Sequence, residues 1–310
     1  MVSLPYGTMV STAAPPVRTA APPGLTSTDA LLVGMVLIWG VNYIVLKAVL
    51  AAMNPFALNA VRFSLAAAAV AAIALVRRAP RPPRAALVRL GLLGLLGNTI
   101  YQFAFIQGVA LTRAGNAALI MAAVPVQTAV LSHLGGHERL RRRDVLGLLI
   151  STAGITAIVL GSGHEVGFGP TMKGDLLILA STFCWSVYTI GTKPMADRFG
   201  PLSATAWTMG LGAIPLVLVS IPAVVAEPWR AVRPAIWAGI VFSAFGALVV
   251  AYLIWSRGVQ RIGPSRTALY SNVTPIVAML TAWALLGETP TAWQGAGAAG
   301  IFTGIYLTRT

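Results

Sequence analysis

Apolar residues dominate this chain in long runs, interrupted by short clusters of Arg, Pro, Gly and Asn. The runs cover about 30 to 52, 55 to 76, 87 to 109, 114 to 134, 145 to 161, 174 to 193, 201 to 225, 235 to 256, 266 to 286 and 292 to 308. Most are long enough, at about 1.5 Å per residue, to cross a hydrocarbon core about 30 Å thick. Ten helical spans therefore account for nearly the whole chain. Connections such as Ala52 to Pro55 or Leu111 to Arg113 are too brief to form a domain, so function has to reside among the helices. The start of the chain, with APP at 14–16 and APPG at 21–24, predicts a flexible tail over residues 1–28 and carries none of the marks of a signal peptide.

Polar residues within the runs follow helical spacing. In LIWGVNYIVLK, residues 37–47, Trp39, Asn42, Tyr43 and Leu46 share one face. The third run repeats the spacing with Asn98, Tyr101, Gln102 and Phe105. The sixth carries Thr182, Trp185, Tyr188, Thr189 and Thr192, the eighth Tyr252 and Trp255, and the ninth Thr267, Tyr270, Ser271 and Thr274. Lipid offers such groups no hydrogen-bond partner. They either join helix to helix or line a cavity, and five helices with an aromatic beside a neutral polar residue point to a cavity.

An internal repeat sharpens the architecture. A shift of 146 residues pairs Asp29 with Asp175, Trp39 with Trp185, Lys47 with Lys193 and Pro55 with Pro201. A shift of 150 pairs Gly108 with Gly258, Pro125 with Pro275, Glu138 with Glu288, Gly147 with Gly297 and Gly154 with Gly304. The predicted units are 29–161 and 162–310. Each holds five spans, an odd number, so the second copy enters the membrane from the opposite side. The expected fold is an all-α integral membrane protein with ten transmembrane helices as two five-helix inverted-topology repeats, an architecture that secondary transporters use for alternating access around a midplane site.

Composition and charge narrow the function. Among 310 residues, 57% are apolar and 10% charged, with a mean hydropathy of +0.79, far from the balance of a soluble protein. The net charge of +14 does not indicate nucleic acid, because the basic residues follow the loops. Alternating the connections across the membrane puts Arg18, Arg77, Arg78, Arg81, Arg84, Arg89, Arg139, Arg141 to Arg143, Lys193, Arg198, Arg257, Arg261, Arg266 and Arg309 on one side. Lys47, Arg113, Lys173, Arg230 and Arg233 fall on the other, so the positive-inside rule predicts both termini in the cytoplasm. Arg62 is left over inside the second span, the only deep cation; it is read as a snorkelling or helix-contact residue, with substrate binding the alternative. Trp229, Trp237 and Trp293, near span ends, read as interfacial belt residues.

Cys184 is a lone cysteine, and His133, His137 and His164 lack metal-ligand spacing with carboxylates, so no enzyme, metal or cofactor is expected. The eight acids, Asp29, Glu138, Asp144, Glu165, Asp175, Asp197, Glu227 and Glu288, lie in loops or at span ends. Proton-coupled carriers place a carboxylate within a span, so uncoupled movement down the substrate gradient is expected. Pro125 and Pro275 each delete a backbone hydrogen bond in equivalent helices and serve as candidate gates, with Gly108 and Gly258 easing the preceding turns; static kinks are the alternative.

The run IWGVNYIVLKAVLAAMNPFALNAVRFSLA at 38–66 resembles the opening of an EamA-type member of the drug/metabolite transporter superfamily. AALIMAAVPVQTAVL at 117–131 and TALYSNVTPIVAML at 267–280, with GHERLRRRDVLGLLISTAGI at 136–155 and LGETPTAWQGAGAAGIFTGI at 286–305, extend the resemblance to all of the chain after residue 28. One departure is His137, where the family has Gly before the Glu; Glu138 and Glu288 read as helix caps or gate contacts. The resemblance implies an inner-membrane carrier of small metabolites, most similar to the branch that exports aromatic amino acids and related amphipathic compounds. Candidate substrate-binding residues are Trp39, Asn42, Tyr43, Asn98, Tyr101, Gln102, Trp185, Tyr188, Tyr252, Trp255 and Tyr270. The expected partners are a small-molecule substrate and the lipid bilayer, with no nucleic acid, and the duplication suits a functional monomer. A lipid flippase or scramblase and a proton-coupled drug exporter of the same superfamily are the alternatives.

Overall fold

A computed structural model describes residues 26–112, 120, 121, 123–161, 172–277, 280, 283 and 289–309. Residues 1–25 of the expected tail, parts of the fourth and ninth spans, Arg113, His164, Glu165 and Glu288 lie outside the described residues. Within them the chain is helical, with no strand. The elements are α1 (Ser27–Leu50), α2 (Pro55–Val76), α3 (Arg84–Leu111), α4 (Ala123–Leu134), α5 (Arg142–Gly161), α6 (Met172–Phe199), α7 (Pro201–Ala226), α8 (Pro234–Ile262), α9 (Pro264–Tyr270) and α10 (Ala292–Arg309). Six of them, α1, α2, α3, α6, α7 and α8, are long and apolar enough to cross a membrane.

Local chemistry explains the ends. Thr26 caps α1 through the Asp29 N–H, and the Asp29 carboxylate accepts from the Thr26 N–H in a capping box. Asn54 caps α2 through the Phe56 N–H, and Pro55 follows where a missing N–H costs nothing. One glycine joins α6 to α7 and another joins α8 to α9. Gly200 at φ +84° and Gly263 at φ +91° turn the chain, and Pro201 and Pro264 start the next helices. Elements run past the sequence boundaries where residues remain helix-compatible: α6 continues through Pro194 to Phe199 and α8 extends to Ile262.

Large apolar side chains cover the outside, with Leu37, Ile44, Leu75, Leu92, Leu218 and Val225 exposed, while Asn59, Asn98, Thr128, Ser186, Thr189 and Ser243 are fully buried. That inverted distribution suits a lipid-facing surface. Inside, α5 packs mainly on α10, α2 on α7 and α3 on α6. The α5–α10 contact runs backbone on backbone: a Cβ added at Gly154 would meet the Gly297 carbonyl oxygen at 2.5 Å, and one at Gly147 the Gly304 oxygen at 2.6 Å. Pairing 147 with 304 and 154 with 297 means that the helices run antiparallel.

Gly108 and Gly258 do not ease turns. Both are buried within helices, where small size permits close approach: a Cβ at Gly108 would meet Ile178 Cδ1 at 2.7 Å, and one at Gly258 would meet Leu32 and Thr267 at 3.0 Å. Pro275 follows a 3₁₀ turn at Ser271–Val273, where the Thr274 N–H bonds the Ser271 carbonyl that a residue with an N–H at 275 would have taken in an α-helix. Pro125 lies within α4. Gly154→Leu is therefore expected to lower the apparent melting temperature in detergent, since overpacking costs on the order of 1–3 kcal/mol. Gly295→Leu, where nothing lies within 4 Å of an added Cβ, is expected to leave it unchanged.

Candidate functional site

Four helices bring their aromatic faces to one centre. Trp185 on α6 has its ring centroid 4.9 Å from Tyr101, 5.2 Å from both Tyr188 and Tyr252, 5.3 Å from Trp255 and 6.1 Å from Trp39. Trp39 and Trp255 stand 5.3 Å apart, Tyr101 stacks on Phe105 at 5.6 Å, and Tyr43 meets Phe105 edge-on at 5.8 Å. The rings touch one another rather than bordering a wide opening, and Trp185 and Trp255 are 4% and 2% exposed.

Two breaks in regular helix geometry underlie this centre. Leu95–Ile100 in α3 and Phe242–Val250 in α8 are wound as π-helix, and the 150-residue shift superimposes the first on the end of the second. In the second, the Ala251 N–H bonds the Gly246 carbonyl, so the Ala247 carbonyl loses that α-helical donor. The Trp39 indole N–H fills the place at 3.0 Å. In the first, Gly97 lies under the Tyr188 ring so closely that any Cβ would collide with it.

Beside the rings lies a polar group that includes Arg62. Its guanidinium does not snorkel: it is 2% exposed, donating from Nε to Asn59 Oδ1 at 2.9 Å, from Nη1 to Ser243 Oγ at 3.0 Å and from Nη2 to Gln102 Oε1. Asn59 Nδ2 donates to the Gln102 carbonyl at 3.1 Å, and Gln102 Nε2 donates to the Tyr252 hydroxyl at 3.0 Å. On the opposite flank the Tyr188 and Thr208 hydroxyls are 3.2 Å apart, and the Trp255 indole N–H donates to Thr189 Oγ1 at 3.3 Å. Asn98 is fully buried with neither amide atom hydrogen-bonded, and the buried Asn42 Oδ1 likewise has no donor.

The structure thus gathers Trp39, Tyr43, Tyr101, Trp185, Tyr188, Tyr252 and Trp255 into contact and sets Gln102 against them. Tyr270 goes elsewhere: its hydroxyl donates to Asp29, ten residues before Trp39 and so about 15 Å along α1. Sequence reasoning overlooked Asn59, Ser243 and Thr208. A signal was present for Asn59, which lies three residues before Arg62 on the same buried face. The described carboxylates stay at helix ends. Glu138 accepts from the Ser265 N–H at 3.3 Å and from its hydroxyl, and Asp144 accepts from the Arg141 N–H at 2.9 Å. Asp175 takes the Thr112 hydroxyl, Glu227 the Asn54 N–H at 3.0 Å, and Asp197 pairs with Lys193 at 2.7 Å.

Comparison with known proteins supplies the context. Residues 26–160 and 172–310 each match the EamA-like transporter family. A probable amino-acid metabolite efflux pump of Salmonella typhimurium is 30% identical over 291 residues, covering 90% of this chain and 92% of that protein. One of the same description from Escherichia coli is 30% identical with the same coverage, and an uncharacterized transporter of Archaeoglobus fulgidus is 27% identical over 91% of this chain and 97% of its own length. One solved crystal structure superposes with a TM-score of 0.75 at 24% identity, covering 92% of this chain and 97% of that one, a likeness of fold. Because Trp185 touches five other rings, Trp185→Ala is expected to destabilise the protein by about 3–5 kcal/mol, and Trp185→Phe by clearly less, read as apparent melting temperatures in detergent.

Proposed function

This chain belongs to the EamA-like transporter family, and from that premise we propose that it carries small amphipathic metabolites, aromatic amino acids or related compounds, out across the inner membrane. The observation that carries the reading is the aromatic centre built from both halves of the chain. Trp39 and Trp185, Phe105 and Trp255, and Gln102 and Tyr252 are equivalent under the 146- and 150-residue shifts, and all six lie in or against one cluster. A substrate with a ring and a polar end suits rings flanked by neutral hydrogen-bonding groups. Relatives in two bacteria described as probable amino-acid metabolite efflux pumps support the same class.

In this reading the ten helices form two inverted five-helix repeats, both termini are cytoplasmic, and one chain suffices. The antiparallel glycine crossing of α5 and α10 and the π segments in equivalent places of α3 and α8 support such a pairing. Transport proceeds by alternating access as the halves exchange conformations, with the Pro125 and Pro275 helices as gates. Movement is uniport: the six described carboxylates serve helix ends and loops, and none of these six lies in a span interior to carry a proton.

Counterflow in proteoliposomes tests the proposal. Vesicles preloaded with unlabelled phenylalanine or tryptophan are expected to take up the labelled compound transiently, and Trp39→Ala or Tyr101→Ala to slow it severalfold. Exchange of no amino acid would overturn the substrate class, and uphill accumulation driven by an imposed pH gradient would overturn uniport.

A further inference from the structure

The centre is electrically one-sided. Arg62 on α2 is charged at any physiological pH, yet its three hydrogen bonds all go to neutral acceptors, Asn59, Ser243 and Gln102. The six described carboxylates are held elsewhere, at the helix ends and loops given above, and none bonds Arg62. Under the 146-residue shift the equivalent of Arg62 is Thr208, a neutral residue whose hydroxyl turns back to the Ala204 carbonyl at 2.8 Å. An unneutralised guanidinium buried within a membrane span is expensive, and a charge kept at such a cost ordinarily meets its partner in the work of the protein.

The remaining geometry says what that partner is. A guanidinium has five N–H donors, and three are engaged, so two remain for an incoming acceptor. Two parallel N–H groups match a carboxylate, which takes them as a pair. Gln102 links the cation to the rings: its carbonyl oxygen accepts from Arg62, its amide nitrogen donates to the Tyr252 hydroxyl, and the Tyr252 ring centroid is 5.2 Å from that of Trp185.

We propose that Arg62 recognises the substrate's carboxylate through its two unused N–H donors, held in place by Asn59, Gln102 and Ser243, so that a carboxylate-bearing ring compound lies with its acid toward α2 and its ring among Trp39, Tyr101 and Trp185. The proposal rests on the transporter reading of the same centre and extends it to a selection rule: ring monocarboxylates, zwitterionic amino acids among them, are accepted over their amides and over ring amines lacking the acid.

The test uses the purified full-length chain and four probes of nearly equal size: L-phenylalanine, L-phenylalaninamide, phenethylamine and 3-phenylpropionate. Competition against labelled phenylalanine counterflow, and ligand-induced shifts in melting temperature, give relative affinities. The wild type is expected to prefer phenylalanine over its amide by about tenfold or more. Arg62→Gln is expected to bring that ratio to within about twofold, and Arg62→Lys to keep part of it. A role confined to holding helices together would weaken all four probes alike and leave the ratio standing. Should Arg62→Gln fail to fold, the wild-type ratios and Arg62→Lys still decide. Amide and acid binding equally to the wild type would overturn the proposal, as would a tenfold preference surviving in Arg62→Gln. Arg62-dependent binding of 3-phenylpropionate without binding of phenylalanine would sustain this proposal while overturning the amino-acid reading. Binding of neither acid would overturn both.

Discussion

A polar group inside hydrocarbon has only the protein to bond with, and the arrangement of this chain follows from that constraint. Backbone groups are satisfied within helices, and at the helix starts the orphan N–H groups are taken by Thr26, Asn54, Glu138 and Asp144. Where the ladder is broken, the freed groups are used. The π segment of α8 releases the Ala247 carbonyl from the Ala251 N–H, and the Trp39 indole bonds it, tying α1 to α8. Side chains obey the same rule: Asn59, Gln102, Ser243 and Tyr252 form one connected group around Arg62 because each would be costly alone.

Helices in lipid gain little from hiding apolar surface against one another, so contact has to come from close packing. Glycines supply it at the α5–α10 crossing, at Gly94 and Gly212 between α3 and α7, and at Gly97 beneath Tyr188. Trp185 at the hub touches five rings, each such pair adding on the order of 1 kcal/mol beyond its buried area. A hub of that kind is firm while the rings interlock. The single-residue joints at Gly200 and Gly263, each with positive φ and followed by a proline, link successive helices without a long connection.

Periodicity made much of the centre legible. Trp39 and Tyr43, Tyr101 and Phe105, and Trp185 and Tyr188 stand out because three- or four-residue spacing leaves one face of a helix different from the rest, and the structure brings those faces together. The same spacing gave no warning about Tyr270, whose helix carries a similar face but delivers the hydroxyl to Asp29 at the start of α1. Gly108 and Gly258 were visible as repeated glycines, but whether a glycine turns a chain or admits a neighbour depends on what packs against it, and Ile178 and Leu32 are distant in sequence. Arg62 was visible as a misplaced charge. That its acceptors are all neutral could not be read, because Gln102 and Ser243 come from other helices.

By itself the sequence determined that the chain is helical and membrane-spanning, that its two halves are copies, and which helix faces differ from lipid, since hydropathy, repeat register and 3.6-residue spacing are local or self-comparing properties. Only the tertiary structure decided that four of those faces meet at Trp185, that two π segments interrupt the helices around it, and that one cation is buried beside the rings among neutral acceptors. Those are relations between helices far apart in sequence, fixed by which backbones can approach closely and by which polar group is left for another to satisfy.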